Sequence, residues 1–487
     1  MADFNFVGQS YEAPSIYQNA QECINFFPEV DLTKPQGSRG IVALYPTPGL
    51  TQILQLDNNE VRGMRTLSGG AYLIIVVGPY VYSVNNAYVA TKVGTLTTSS
   101  GRVSITDNIM SNTGLNAYIV DGVNRYYWVA STNTFATLPS SDGPWQGADV
   151  CEVVDNYIIY NQPNTQLWAA TDLGLVTSSN AYYGAKDGSP DPLVSLIVDR
   201  RQVSLLGEFT TEVWTDVGNV INGIISFPFQ RIPGTSSQHG IAARFSVARF
   251  GEQFCFVSQD NRGQAIIGVM EGYAFKRLST HAVEQTLMNQ KISDAVAYTY
   301  QLEGHEFYVV TFPSINLTWV YDITTQAWHK WLSWDGSQYN RHRSNCGAIF
   351  NNVYLVGDYQ NGKIYQLDNT VYTDNGDTIR RLRRAPHLVT DLQRQYFAEL
   401  QIQFQPGVGL EVGQGQDPQA MLRWSNDGGS TYSNEHWVSI GMVGKYRNRA
   451  IWRRLGTARD RIFEVVITDP VKAVIVSANL KAEEGEN

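Results

Sequence analysis

Cysteine is scarce in this chain: four residues in 487, Cys23, Cys151, Cys255 and Cys346, with no C-x-x-C spacing among them. That excludes a disulfide framework or a thiolate zinc site and predicts buried free thiols. Long apolar runs are missing too. The longest, Tyr72–Val77, is far too short to cross a bilayer, so no membrane insertion is expected. The opening MADFNFVGQS has no basic stretch leading into an apolar one. A secretory signal is therefore not read there, and a soluble protein made in a reducing cytoplasm is expected. Charge is sparse, with 17% Asp, Glu, Lys and Arg and a net charge of −9. Phosphate binding needs clustered Lys and Arg, so this balance argues against general nucleic-acid affinity.

Catalytic signatures are missing as well. The seven histidines (His239, His281, His305, His329, His342, His387 and His436) are scattered, with no H-E-x-x-H and no carboxylate spacing for a metal. There is no Walker loop and no G-x-S-x-G elbow, and Gly413-Gln-Gly415-Gln reads as a flexible loop. No catalytic residue, metal or cofactor is expected.

What the chain has in quantity is Tyr (27), Trp (11) and Gly (42), a mix suited to many short strands joined by tight turns. The clearest stretch is 304–331, GHEFYVVTFPSINLTWVYDITTQAWHKW. It holds two β-branched and aromatic runs separated by a polar break, then Asp322, Thr324 and Thr325 as turn formers, then a strand with Trp328 and Trp331. Its central strands are apolar on both faces, so one such sheet cannot bury itself and its neighbours must be copies. Strand pairs of the same kind begin at Tyr72, Ala117, Tyr157, Val203, Gln253, Phe307 and Val353, spaced by 40–54 residues. That is the spacing of four-stranded propeller blades. The fold class read from the chain is therefore all-β: a β-propeller over 41–368 of about seven blades, six being the alternative count, closed by an early strand pairing with the last blade.

Residues 1–40, interrupted by Pro14, Pro28 and Pro35, read as an irregular arm wrapped on the body or on a neighbouring subunit. Residues 369–480 lack the blade pattern. Their basic, proline-interrupted start is read as a crossing, and six alternating segments between 399 and 480 predict a small β-sandwich. Residues 481–487 read as a frayed tail. Charge divides the same way: 21 basic and 31 acidic residues lie in 1–369, against 15 and 11 in 370–481.

Two features of the C-terminal region rise above background. Arg380, Arg381, Arg383 and Arg384 cluster, and Lys445, Arg447, Arg449, Arg453 and Arg454 surround Trp452. Guanidinium forks beside an aromatic residue suit docking on acidic partner subunits. In a strand, the side chains at 452 and 454 would share one face while Arg453 takes the other. On this reading, replacing Arg380, Arg381, Arg383 and Arg384 leaves the monomer folded. The second feature, Ser425, Asp427, Gly429, Thr431 and Tyr432, has the spacing of an Asp-box and reads as a structural turn.

The order of pieces adds a resemblance. An FFP segment and YPTPGL precede the repeats, TEVW (211–214) and WVYD (319–322) mark two of them, and the chain closes on IWRRLGTARDRIFEVVITDPVKAVI (451–475). This resembles the packaged-DNA stabilisation proteins, the tail hubs or nozzles, of short-tailed bacteriophages. The resemblance implies a virion protein of the tail, synthesised in the host cytoplasm, without catalysis. It implies a homo-oligomer, six copies in a ring below the head-to-tail adaptor. That ring extends the portal channel, retains packaged DNA and holds a needle or plug, with tailspikes or fibres near the same junction. DNA passes through without specific binding, which an acidic balance favours. The rival readings are a glycan-cleaving, sialidase-like propeller and a receptor-binding tail propeller.

Overall fold

The computed structural model describes residues 2–34, 41–218, 220–221, 224–260, 262–391 and 393–485. Pro35 and the last two residues of the expected tail lie outside them.

Seven four-stranded antiparallel blades follow one another along the chain, five as separate sheets and the sixth and seventh as parts of larger ones. In each, the second and third strands are the apolar pairs recognised in the sequence; Tyr72–Val77 with Tyr80–Asn85 is the first and Val353–Asp358 with Lys363–Asp368 the seventh. The two-faced apolar runs explain the ring. In Tyr72–Val77, Ile74 and Val76 face blade 2, packing with Ile105, Ile119 and Trp128. Leu73, Ile75 and Val77 face blade 7, packing with Cys346, Leu355 and Ile364. Successive side chains of a strand point to opposite sides, so one run builds half of two cores. Each fully buried aliphatic side chain contributes roughly 1.5–3 kcal/mol. Closure comes from Gly49–Gln55, which pairs antiparallel with Lys363–Asp368 and supplies the outer strand of blade 7. The two ends of the ring are thereby joined, which leaves only the short outer edges of individual blades.

The second domain is a β-sandwich, and it is not confined to the C-terminal residues. One of its sheets runs Ala20–Ile24, Arg381–Arg384, Asp460–Ile467, Gln419–Ser425, His436–Ser439. The other runs Phe26–Val30, Val42–Pro46, Ile475–Glu484, Gln395–Phe404, Ala450–Arg453. Phe6, Phe26 and Leu44 share its core with Phe397, Leu422 and Phe463. The propeller is thus inserted into the sandwich, between Pro46 and Arg381.

Four expectations change accordingly. The arm is not irregular: it gives a strand to each sandwich sheet, because Phe26, Phe27 and Cys23 have apolar surface that only the sandwich and blade 6 can cover. The propeller begins at Gly49 and not at residue 41, since Val42–Pro46 pairs with Phe26–Val30. The basic crossing contains a sandwich strand, Arg381–Arg384. The tail is not frayed at 482–484, where Ala482, Glu483 and Glu484 pair with Phe397, Tyr396 and Gln395.

The two domains share a sheet. Ile24 pairs in parallel with Lys330, on the last strand of blade 6, so hydrogen bonding runs from that blade into the sandwich.

Candidate functional site

The arginine run lies in that seam. Glu22, Arg384, Glu464 and Arg423 stand directly opposite one another on four adjacent strands. Their charges alternate across the sheet, the arrangement in which cross-strand pairs attract. Arg384 Nε donates to Glu464 Oε2 at 2.9 Å, and its Nη1 lies 3.1 Å from Glu22. Arg423 Nε donates to Glu464 Oε1 at 2.5 Å. Lys330 of blade 6 donates to Glu22 at 2.7 Å and ends the row. Burial alone would raise the Glu22 carboxyl, but Lys330 and Arg384 outweigh it and hold it below the usual carboxylate range. The register that builds this row joins strands up to 440 residues apart, so sequence reasoning had no signal for it.

Arg381 and Arg383 are fully buried. Arg383 Nε donates to the Phe6 carbonyl at 2.5 Å, Nη1 to those of Gln9 and Glu22 at 3.1 and 3.2 Å, and Nη2 to Gln21 Oε1 at 2.6 Å. Arg381 donates to the carbonyls of Asp469 and Tyr372. Burial lowers both guanidinium pKa values to about 10, which leaves them charged at neutral pH. Arg380 donates to the Tyr339 hydroxyl at 2.8 Å and lies over the Trp334 ring. The docking role expected for these four is therefore corrected: they clamp the arm, the sandwich and the hairpin after blade 6 within one chain. Even-spaced apolar neighbours gave no hint of it, because the acceptors are mostly backbone carbonyls.

The second basic set is different. Lys445, Arg447, Arg449, Arg453 and Arg454 are all exposed, the first three in a loop that also exposes Met442, Val443 and Tyr446, the last two at and just past the end of the strand Ala450–Arg453. Trp452 is buried, donating to the His436 carbonyl at 2.7 Å. Arg453 pairs with Glu399 at 2.9 Å. The strand stops there. Arg454 turns to a positive φ of 58° and does not share the face of Trp452.

The Asp-box spacing closes the turn after Gln419–Ser425. Ser425 Oγ accepts from Gly429 N at 2.8 Å, and Asp427 accepts from Thr431 N and Oγ1 at 2.9 and 2.6 Å. The Thr431 hydroxyl and amide pull the half-buried Asp427 carboxyl down to about 2. Tyr432 places its ring over Arg384 and Arg423, so the turn covers the charged row.

Along the propeller axis, the first strands of most adjacent blades touch. Glu152 of blade 3 lies 3.5 Å from Arg65 of blade 1 and 3.6 Å from Arg249 of blade 5, and Arg65 lies 3.8 Å from Asp107 of blade 2. Charged pairs thus cross the axis. Among the described residues, no group of three or more His, Cys, Asp and Glu is arranged to hold a metal. No helix there is long and apolar enough to cross a membrane. The four thiols are free and buried.

A family model described as Bacteriophage P22 Gp10, beta-propeller, matches residues 21–372, and a second, Bacteriophage P22 Gp10, beta-sandwich, matches residues 380–483. The chain belongs to the bacteriophage P22 Gp10 family. The Gp10 family is one of packaged-DNA stabilisation proteins of short-tailed phages, structural and non-enzymatic, which makes this chain a tail component of the virion. The glycan-cleaving reading is set aside on that ground. No curated protein sequence matches the chain. Among solved structures, the N-terminal domain of Nup159 is similar at 10% identity, over 71% of this chain and 98% of that one, with a TM-score of 0.41. The Neurospora crassa Pan2 WD40 domain is similar at 8% identity over 66% and 95%, TM-score 0.39. A streptogramin B lyase is similar at 9% identity over 72% and 98%, TM-score 0.38.

Proposed function

We propose that this Gp10-family chain is the hub, or nozzle, of a short tail. Six copies form a ring below the head-to-tail adaptor and extend the portal channel. The ring retains packaged DNA and holds a needle or plug at its far end, with tailspikes or fibres seated near the same junction. The observation that carries this reading is the family match across both domains. The salt bridges that cross the propeller axis support a DNA path along the axis of the ring and not through any one propeller. The continuous sheet from blade 6 into the sandwich supports a subunit that moves as one body, as a load-bearing wall of a pressurised channel requires. The exposed loop with Arg447, Arg449, Arg453 and Arg454 is the docking surface for acidic neighbours, supported by its exposure and by its apolar residues Val443 and Tyr446.

The test is reconstitution. Purified chain mixed with portal–adaptor complex is expected to give six-fold rings beneath the adaptor in electron micrographs. Particles assembled without it are expected to package DNA and then lose it. A chain that stays monomeric beside the adaptor, or particles that keep their genome without it, would overturn the proposal.

A further inference from the structure

The segments that lead into the first strands of several blades meet at one end of the propeller axis, around a cavity of about 300 Å³. Its lining includes Glu60, Arg102, Phe245, Asp294, Arg341 and Asn345. These come from the entries to blades 1, 2, 5, 6 and 7, so the site exists only once the ring has closed. None of these lining residues belongs to the docking loop or to the charged row, although Arg341 pairs with Leu332 on the hairpin that the seam holds.

The polar groups here are unevenly matched. Arg102 Nε and Nη1 are buried and make no hydrogen bond to nitrogen or oxygen in the chain. The guanidinium lies 5.7 Å from the centre of the Phe245 ring and beside the Cys346 thiol, a weak acceptor. Arg341 lies over the Tyr359 ring at 3.7 Å, and among the described residues neither arginine has a carboxylate within ion-pair distance. On the acceptor side, Asp294 Oδ2 takes the Ser314 amide and hydroxyl at 2.9 and 2.6 Å, while its Oδ1 is buried without a partner. Glu60 accepts from Gly101 N at 2.9 Å. Buried donors and acceptors are nearly always satisfied in native proteins, and those that are not point to a missing water, ion or ligand. Two cationic and two anionic side chains balance in this lining. A bare anion would meet Glu60 and Asp294, and a bare cation would meet the arginines.

We propose that this cavity binds a small oxyanion that also carries a hydrogen-bond donor. The oxyanion sits on Arg102 and Arg341, where guanidinium matches it in charge and geometry, and the donor meets Asp294. Phe245 forms the apolar wall, as in pockets where a few convergent polar groups fix a small ligand against an aromatic surface. Hydrogenphosphate and the head of a free amino acid share this chemistry, and the cavity has room for either.

The full-length chain is titrated by calorimetry with sodium hydrogenphosphate and, separately, with L-glutamate, at ionic strength matched with sodium chloride. Thermal midpoints are read in parallel. Phosphate stabilises proteins in general by exclusion from their surface, so the deciding quantity is the difference between the chain and its variants. Saturable binding of at least one probe is expected, weakened about tenfold or more in Arg102→Gln. Arg341→Gln serves as the second variant should Arg102→Gln unfold, and Asp294→Asn reports on the donor side. Binding of phosphate alone assigns the site to a phosphate group, and binding of glutamate alone to an amino-acid head. No heat and no midpoint shift with either probe, or affinity unchanged in both arginine variants, overturns the proposal.

Discussion

The Asn25 carboxamide and the Leu332 backbone exchange two hydrogen bonds, each 2.8 Å long: Leu332 N donates to Asn25 Oδ1, and Asn25 Nδ2 donates to the Leu332 carbonyl. The same Nδ2 donates to the Arg380 carbonyl at 2.9 Å. Asn25 is the corner between the two arm strands, fully buried, with a φ of 58°. It is a residue that tolerates the left-handed region and can also satisfy the backbone groups it meets there. Asn25→Ala leaves several of those groups buried and unpaired and strains the corner. A loss of about 3 kcal/mol or more is expected in chemical denaturation. Asn25→Gly, which relieves φ but not the missing bonds, should recover only about 1 kcal/mol of it. Equal stability of all three chains would refute the role.

Arg383 offers a sharper test of the clamp. Four hydrogen bonds tie it to the arm, and its removal strands their acceptors. Arg383→Ala should cost about 3–5 kcal/mol and make residues 2–19 cleavable by chymotrypsin, at Phe4, Phe6, Tyr11 or Tyr17, while the blades stay resistant. Cleavage patterns identical to those of the unaltered chain would show that the clamp does not hold the arm.

The seam also responds to pH, in opposite senses at two histidines. Burial disfavours charge on His305, but the carboxylates of Asp322, at 2.7 Å, and Glu29 outweigh it and hold its pKa up at about 9. The folded state then binds the proton more tightly than the unfolded chain. Its stabilisation is complete below about 6.5 and is lost as pH rises through 9, at most about 3 kcal/mol. His329 is the reverse: fully buried, both ring nitrogens without partners, its pKa pushed by burial down to about 4. It stays neutral in the fold, so stability falls as pH drops from about 6.5 towards 4. Denaturation midpoints of the chain, Glu29→Gln and His329→Leu across pH 4–10 should show the first variant flattening the alkaline limb and the second the acid limb.

The docking loop is open to direct substitution. Replacing Arg447, Arg449, Arg453 and Arg454 with Ser alters exposed side chains, one of them paired with Glu399, and should cost less than about 1 kcal/mol of stability. Co-sedimentation with the portal–adaptor complex is expected to fall at least tenfold. Undiminished co-sedimentation would move the docking surface elsewhere on the subunit.

The blades were legible because each of their central strands announces itself locally. Six consecutive residues such as Tyr72–Val77 are β-formers on both faces, and that property needs no knowledge of the partner. The arm was not legible for the opposite reason. Ala20–Ile24 and Phe26–Val30 are short, contain Pro28 and bend at Asn25, and their partners lie near residues 330, 383 and 44. The arginine run shows the same limit in the site. Arg447 and Arg449 stand in a Gly- and Asn-bearing loop and are exposed. Arg381 and Arg383 carry the same chemistry but sit on a central sandwich strand, and only the long-range pairing of that strand turns them inward.

Inserting the propeller into the sandwich also sets an order of events during synthesis. The strand Ala20–Ile24 leaves the ribosome long before its sandwich neighbour Arg381–Arg384, which appears some 360 residues later. At roughly 5–20 residues per second, that is a wait of about 20–70 s. Throughout it the propeller's closing strand, Gly49–Gln55, and the arm strands before it remain without their long-range partners, while blades 1 to 6 can form as they emerge. Blade closure and sandwich assembly thus both wait until the last blade and the strand Arg381–Arg384 have emerged. Until then each nascent chain presents unpaired strand edges that a neighbour on the same polysome could complete, the circumstance in which identical chains exchange elements.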